Sequence, residues 1–328
     1  MALSAAAIAE HPPGESPVDL TSAEFRQWSL AARWENDMFG NTDRYYTDGA
    51  SLTLMHTGAG WLGRLADGWP WGAGRRCVGY DFGQIMITSG DKLMPIPDPE
   101  DRPYAGILYA GLALHVDQGN RYHGLKFITG VAGPWALAGE TQREVHRWIQ
   151  TDLPKGWNYQ LHNEPLFNLI YEHRRKYRMA GEPSGFAVEA LPTVNVMLGN
   201  LLTQAQIGGQ IRFGFNLPDD FGSSLMRGMG HLPPPRPATD PQPLPPLGVY
   251  FFGGLQGNLV LHNLTLDGNT WKDSPSVDRE PFVPAAEVGL SLASRRFTVT
   301  FSYVFFGDEF HGQHLNSEFG ACTVTYRF

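Results

Sequence analysis

The chain has 328 residues, a formal net charge of −8, 42% apolar and only 18% charged residues, and 38 glycines; nothing in it forms the basic stripe that a nucleic-acid partner needs. Two widely separated cysteines, Cys77 and Cys322, make no disulfide framework and read as unpaired residues on strands. No apolar run reaches the roughly 18 residues of a transmembrane helix, which leaves membrane-spanning strands open, because these alternate and give a weak hydropathy signal.

Residues 1–25 read as a separate N-terminal segment. "MALSAAAIAEH" lacks a basic region and is either the remnant of a trimmed signal peptide or a start introduced for expression. The rest, 26–328, reads as one domain. The first strand, 27–37, puts Gln27, Ser29, Ala31, Arg33, Glu35 and Asp37 on one face and Trp28, Leu30, Ala32 and Trp34 on the other. The second, 47–57, opposes Thr47, Gly49, Ser51 and Thr53 to Ala50, Leu52 and Leu54. If the apolar faces meet lipid, Asp37 points inward or to the wall of an external site, and Thr47 points inward at the same end of the adjacent strand, with Asn36 beside them. The loop between is dense in Asn, Asp, Thr and Tyr. It is either a polar rim of turns or an oxygen-rich cluster suited to a hard cation such as Ca²⁺.

Segment 58–75 has room for a short helix. Strands are expected at 76–87, 104–116 and 121–131. The fourth opens on "EDRPYAGILYAG" (100–111), where Asp101 and Arg102 are expected to pair and pin the loop. Next, "AGETQREVHRWIQTDLPKGW" (138–157) predicts a helix in a loop. Gln142 and His146 share a face of it at i, i+4, and Val145, Trp148 and Ile149 form an apolar side for the barrel mouth or lipid. Asp152 follows shortly after. A histidine held this way over a polar wall is positioned for general-base work; the plain alternative is a surface histidine on a loop.

Seven further strands are expected at 164–176, 185–198, 203–216, 247–262, 281–293, 295–307 and 317–328. "TQAQIGGQIRFGFN", "RFTVTFSYVFF" and "GACTVTYRF" alternate, with polar faces of Thr, Ser, Gln and Gly rather than charges. Aromatics gather near strand ends as an interfacial girdle would, and Phe328 closes the last strand. A soluble sandwich also alternates, but these faces favour an all-β, twelve-stranded antiparallel transmembrane β-barrel with a short external loop helix. An even strand number puts both termini on the periplasmic side. Loops 38–46, 88–103, 132–163, 199–202, 263–280 and 308–316 are then external. The Pro-rich segment 232–248 reads as a periplasmic spacer.

Taken in order, "ENDMFGNTDRYYTDG", "DRPYAGILYAG", "TQREVH" and "KGWNYQLHNEP" resemble the lipid A 3′-O-deacylase family of Gram-negative outer membranes, over roughly 26–328. The resemblance implies an outer-membrane enzyme acting on lipid A of lipopolysaccharide, with its site between the barrel wall and a loop helix. It implies Ca²⁺-dependent removal of the 3′-linked acyl group. Asn36, Asp37 and Thr47 fall on the family's polar positions, with Asp37 and Asn36 toward the metal. Gln142 and His146 match its "Q...H". Where the family often carries Glu, this chain has Asp152. Lys92 of "TSGDKLMP" is the best match to a substrate-binding lysine.

No Gly-x-Ser-x-Gly elbow or evident triad supports a serine nucleophile. His146 would instead activate water, with Asp152 or Gln142 orienting the ring. Ca²⁺ near Asp37, with Asn36 and Thr47, would polarise the ester carbonyl, and Lys92 would take a lipid A phosphate. The rivals are an outer-membrane phospholipase or other lipid hydrolase, and a non-catalytic pore or scaffold that loses nothing when His146 is changed.

Overall fold

In the computed structural model, residues 27–40, 44–58, 60–62, 67, 74–182, 184–224, 226, 229–230, 247–314 and 317–328 are described. The period-two alternation becomes strands β1 (Trp28–Asn36), β2 (Tyr45–Thr57), β3 (Arg75–Thr88), β4 (Ala105–Asp117), β5 (Arg121–Ala132), β6 (Glu164–Arg175), β7 (Tyr177–Gly181), β8 (Phe186–Gly199), β9 (Leu202–Phe215), β10 (Leu247–Asn263), β11 (Phe282–Ser294), β12 (Phe297–Phe306) and β13 (Ser317–Arg327). All pairings among them are antiparallel. β1 pairs with β13, and β6 with β8, so the sheet closes on itself. β6 and β7 follow one another along the same edge of β8 and act as one stave. The described residues therefore form the twelve-stave barrel that alternation predicts, and closure leaves no unpaired edge in lipid.

Outward positions carry Trp34, Leu52, Phe82, Phe127, Leu169, Ile207 and Leu255, all exposed. Inward positions carry charge, and many of these charges are paired. Lys126 meets Asp81 at 2.8 Å, Arg174 meets Glu172 at 2.8 Å, and Arg212 lies between Glu189 (2.7 Å) and Asp220. Pairing is the condition on which buried charge persists. Cys77 and Cys322 are free, as expected.

The chain after β9 does not stay outside the barrel. Arg212 donates to the Pro218 carbonyl at 2.9 Å, Arg174 to those of Phe221 (2.9 Å) and Ser223 (2.6 Å), and Lys126 to that of Met229 (2.6 Å). Met226 and Met229 join a buried cluster with Tyr46, Tyr109, Ile128 and Leu264. The turn passes through Gly222 at φ +76, a conformation other residues rarely adopt. The described residues of this segment, 217–224, 226 and 229–230, thus occupy the lumen. The spacer expected at 232–248 lies outside the described residues apart from Leu247 and Gly248 in β10, as does the N-terminal segment 1–25. Within 58–75, where a short helix is expected, the described residues include a 3₁₀ turn at Gly60–Leu62 and the helical Asp67.

At the external end, Asp101 and Arg102 do not form the expected side-chain pair. Asp101 instead accepts from Ser89 Oγ (3.1 Å) and the Gly90 amide (2.7 Å). The buried Arg102 guanidinium donates to Glu309 at 2.6 Å and Thr265 at 3.1 Å. It ties three external loops together rather than pinning one.

Candidate active site

The site begins with a bulge. Tyr46 pairs with Ile87 and Asp48 with Met86, so Thr47 is an extra residue on β2. A bulge of this kind re-aims the side chains around it. Tyr46 turns inward, where its hydroxyl reaches the buried Glu35. Thr47 hydrogen-bonds Thr88 at 2.8 Å, and Thr88 shares the outer face of β3 with Phe82 and Met86. The expectation that Thr47 points into the barrel is therefore corrected: the bulge turns it to the outer wall.

Asn36 lies on the same outer side, by its parity with Trp34. Its Nδ2 donates to Asp48 Oδ2 at 2.9 Å, and Trp34 Nε1 donates to that oxygen at 2.7 Å. Asn36 Oδ1 accepts from the Met38 amide at 2.7 Å, an Asx-type turn that swings the chain into the 3₁₀ turn Asp37–Gly40. This places the buried Asp37 carboxylate beside the strand ends, where it accepts from the Arg44 amide. Asp48 was not foreseen. Its signal was a carboxylate on the otherwise lipid-facing row of Ala50, Leu52 and Leu54.

The opposite wall is helix α1 (Ala138–Ile149), which packs on the outside of β3 and β4. Two glycines permit the approach: a Cβ on Gly106 would sit 2.6 Å from Ala138 Cβ, and one on Gly139 would sit 2.8 Å from the Trp157 ring. Met86, Tyr104, Ala138 and Trp157 close into a buried cluster, with Tyr104 and Trp157 edge to face at 5.2 Å. Gln142 and His146 are buried on the wall-facing side, while Val145, Trp148 and Ile149 are exposed. The apolar side of the helix therefore faces outward and does not cover the barrel mouth.

His146 Nδ1 donates to the backbone carbonyl of Asp152 at 2.6 Å. The expected orienting role thus belongs to the Asp152 main chain rather than its carboxylate, and Nε2 is left as the basic nitrogen. Gln142 does not hold the ring. Its Oε1 accepts from Trp157 Nε1 at 2.6 Å, and its Nε2 has no partner among the described residues. The Lys155 amide donates to the Lys92 carbonyl at 2.9 Å, which ties the Lys92 loop to the chain leaving α1.

Asp37, Asp48, Lys92, His146 and Asp152 form one electrostatic group. Burial pushes the Asp37 carboxyl up to about 8, against the opposing pull of the Arg44 amide and Lys92. Burial also lowers the Lys92 ammonium, opposed by Asp37 and Asp152. His146 is held below the usual histidine value, first by burial and then by Lys92, against the Asp152 carbonyl. Asp37, Asp48 and the second lone pair of Asn36 Oδ1 are hard oxygen donors around a poorly stabilised carboxylate. They fit Ca²⁺ better than a thiophilic metal. Among the described residues no three His, Cys, Asp or Glu side chains make a preformed cage, so substrate or water oxygens would complete the shell.

A family model described as outer membrane protein LpxR matches residues 1–328. Among solved structures, LpxR from Salmonella typhimurium is similar with a TM-score of 0.72 and 20% identity, covering 91% of this chain and 99% of that one. The β domain of the Bordetella autotransporter BrkA gives a TM-score of 0.41 at 11% identity, covering 92% and 98%. No curated protein matches the sequence.

Proposed function

The chain belongs to the outer membrane protein LpxR family, and from that membership we propose that it is a Ca²⁺-dependent esterase that removes the 3′-linked acyl group of lipid A in the outer leaflet. The observation that carries this reading is the placement of His146. The ring is fixed by the Asp152 carbonyl on the outer wall of the barrel, within electrostatic reach of Asp48 and Lys92, at the external end where lipopolysaccharide lies.

His146 Nε2 takes a proton from water as the water oxygen attacks the ester carbonyl. The imidazolium then returns the proton to the departing sugar hydroxyl. Asp37, with Asp48 and Asn36 beside it, would hold a Ca²⁺, which would supply Lewis-acid polarisation of the ester carbonyl. Gln142 Nε2, buried and without a partner among the described residues, is a donor available to the substrate. Lys92 offers a point charge to a lipid A phosphate. Exposed Trp135, Val145, Trp148 and Ile149 set α1 among acyl chains.

The test is hydrolysis by purified, folded protein in mixed micelles of lipid A or of phosphatidylethanolamine, with Ca²⁺. Fatty acid should be released from lipid A and not from the phospholipid. Equal release from both would make the protein a general lipid hydrolase.

A further inference from the structure

On the outer face of the periplasmic end, β5 and β6 oppose like charges in register. Arg121 faces Arg175, and His123 faces His173. The two imidazoles stack at 4.4 Å between centroids. Like charges directly opposite one another weaken a strand pair, yet the sheet sets Arg121 against Arg175, with the stacked imidazole pair beside them on the same face. The neighbouring carboxylates serve the lumen: Glu172 binds Arg174 at 2.8 Å, and Asp117 faces Arg75 at 3.6 Å. Arg121 and Arg175 form no ion pair among the described residues, and both are exposed.

The rest of the cluster consists of hydroxyls and a fixed donor. Arg175 donates to the Tyr177 hydroxyl at 3.0 Å and lies 5.9 Å from the centre of that ring. His123 Nδ1 hydrogen-bonds the Tyr171 hydroxyl at 3.0 Å. His173 Nδ1 donates to the Tyr122 carbonyl at 2.9 Å. The patch stands at the ends of β5 and β6 beside the periplasmic turn. That is the depth at which interfacial tyrosines and the headgroups of the inner leaflet lie.

From this juxtaposition we infer that Arg121, Arg175, His123 and His173, with Tyr171 and Tyr177, bind the phosphate of an anionic phospholipid in the periplasmic leaflet. The anion relieves the opposed charges, and the tyrosines flank its glycerol end. This site is separate from the lipid A site at the other end of the barrel and does not depend on the proposed hydrolysis.

Native mass spectrometry of the detergent-solubilised protein with phosphatidylglycerol or phosphatidylcholine tests it. The wild type should retain phosphatidylglycerol preferentially. Arg121→Gln/Arg175→Gln should lose roughly thirtyfold in that preference, about fivefold for each arginine near an anionic headgroup, while remaining heat-modifiable. Arg295→Gln/Arg296→Gln, which removes the same charge from the turn between β11 and β12, should keep it. Excess inorganic phosphate should not displace the lipid. The proposal is overturned by no wild-type preference, by an unchanged preference in the Arg121/Arg175 variant, by an equal loss in the Arg295/Arg296 variant, or by displacement with free phosphate.

Discussion

At the scale of single residues, two positions that the sequence runs together take different roles. His146 contributes a ring nitrogen, whereas Asp152 contributes a backbone carbonyl. His146→Ala is expected to lower turnover by roughly 10²–10⁴-fold, the usual contribution of a positioned acid–base group. Asp152→Ala keeps the carbonyl and should cost far less, as measured by lipid A hydrolysis with both folded variants. The shorter side chain at 152 should therefore matter little, which the sequence had no means of showing because a main-chain acceptor has no residue signature. The pH profile follows from the same site. Burial lowers the His146 value, and the neutral ring is the active form, so the acid-side loss of rate should fall below the reference value of about 6.5. Asp37 works the other way. Its carboxyl is raised to about 8, and protons compete with the cation for it. The Ca²⁺ concentration giving half-maximal rate should therefore decrease as pH rises toward 8; a requirement independent of pH would remove Asp37 from the metal.

At the scale of elements, the twelve staves and the loop helix were legible because alternation at period two and an i, i+4 pair are direct records of geometry. The bulge was not. One extra residue at Thr47 leaves composition and pattern intact but moves the Thr47 side chain from the lumen to the outer wall. Gly139 and Trp157 were equally silent, since their meaning lies in a contact across the loop. That contact makes a prediction. In Gly139→Val the added carbons meet the Trp157 ring, which a Cβ alone would approach to 2.8 Å, and α1 must lift from the wall. Hydrolysis should drop at least about tenfold, with heat-modifiable migration unchanged, because the helix lies outside the strand ladder. Full activity in this variant would mean that the seat of α1 on the wall does not set the position of His146.

At the scale of the whole molecule, the lumen is filled. Arg212, Arg174 and Lys126 hold the carbonyls of Pro218, Phe221, Ser223 and Met229, and paired charges occupy the wall around them. This segment was invisible in the sequence because it has neither strand nor helix periodicity, only a polar wall to bind. In planar bilayers the protein should give no stepwise conductance. Open channels of porin size would show that the segment leaves the lumen and would revive the pore reading.

Mass spectrometry of lipid A from Gram-negative cells producing the wild type, His146→Ala or neither decides whether His146 carries the deacylation. Loss of the 3′-linked acyl group is expected only with the wild type. Unchanged lipid A in wild-type cells containing folded protein and Ca²⁺, or the same loss with His146→Ala, would contradict this expectation.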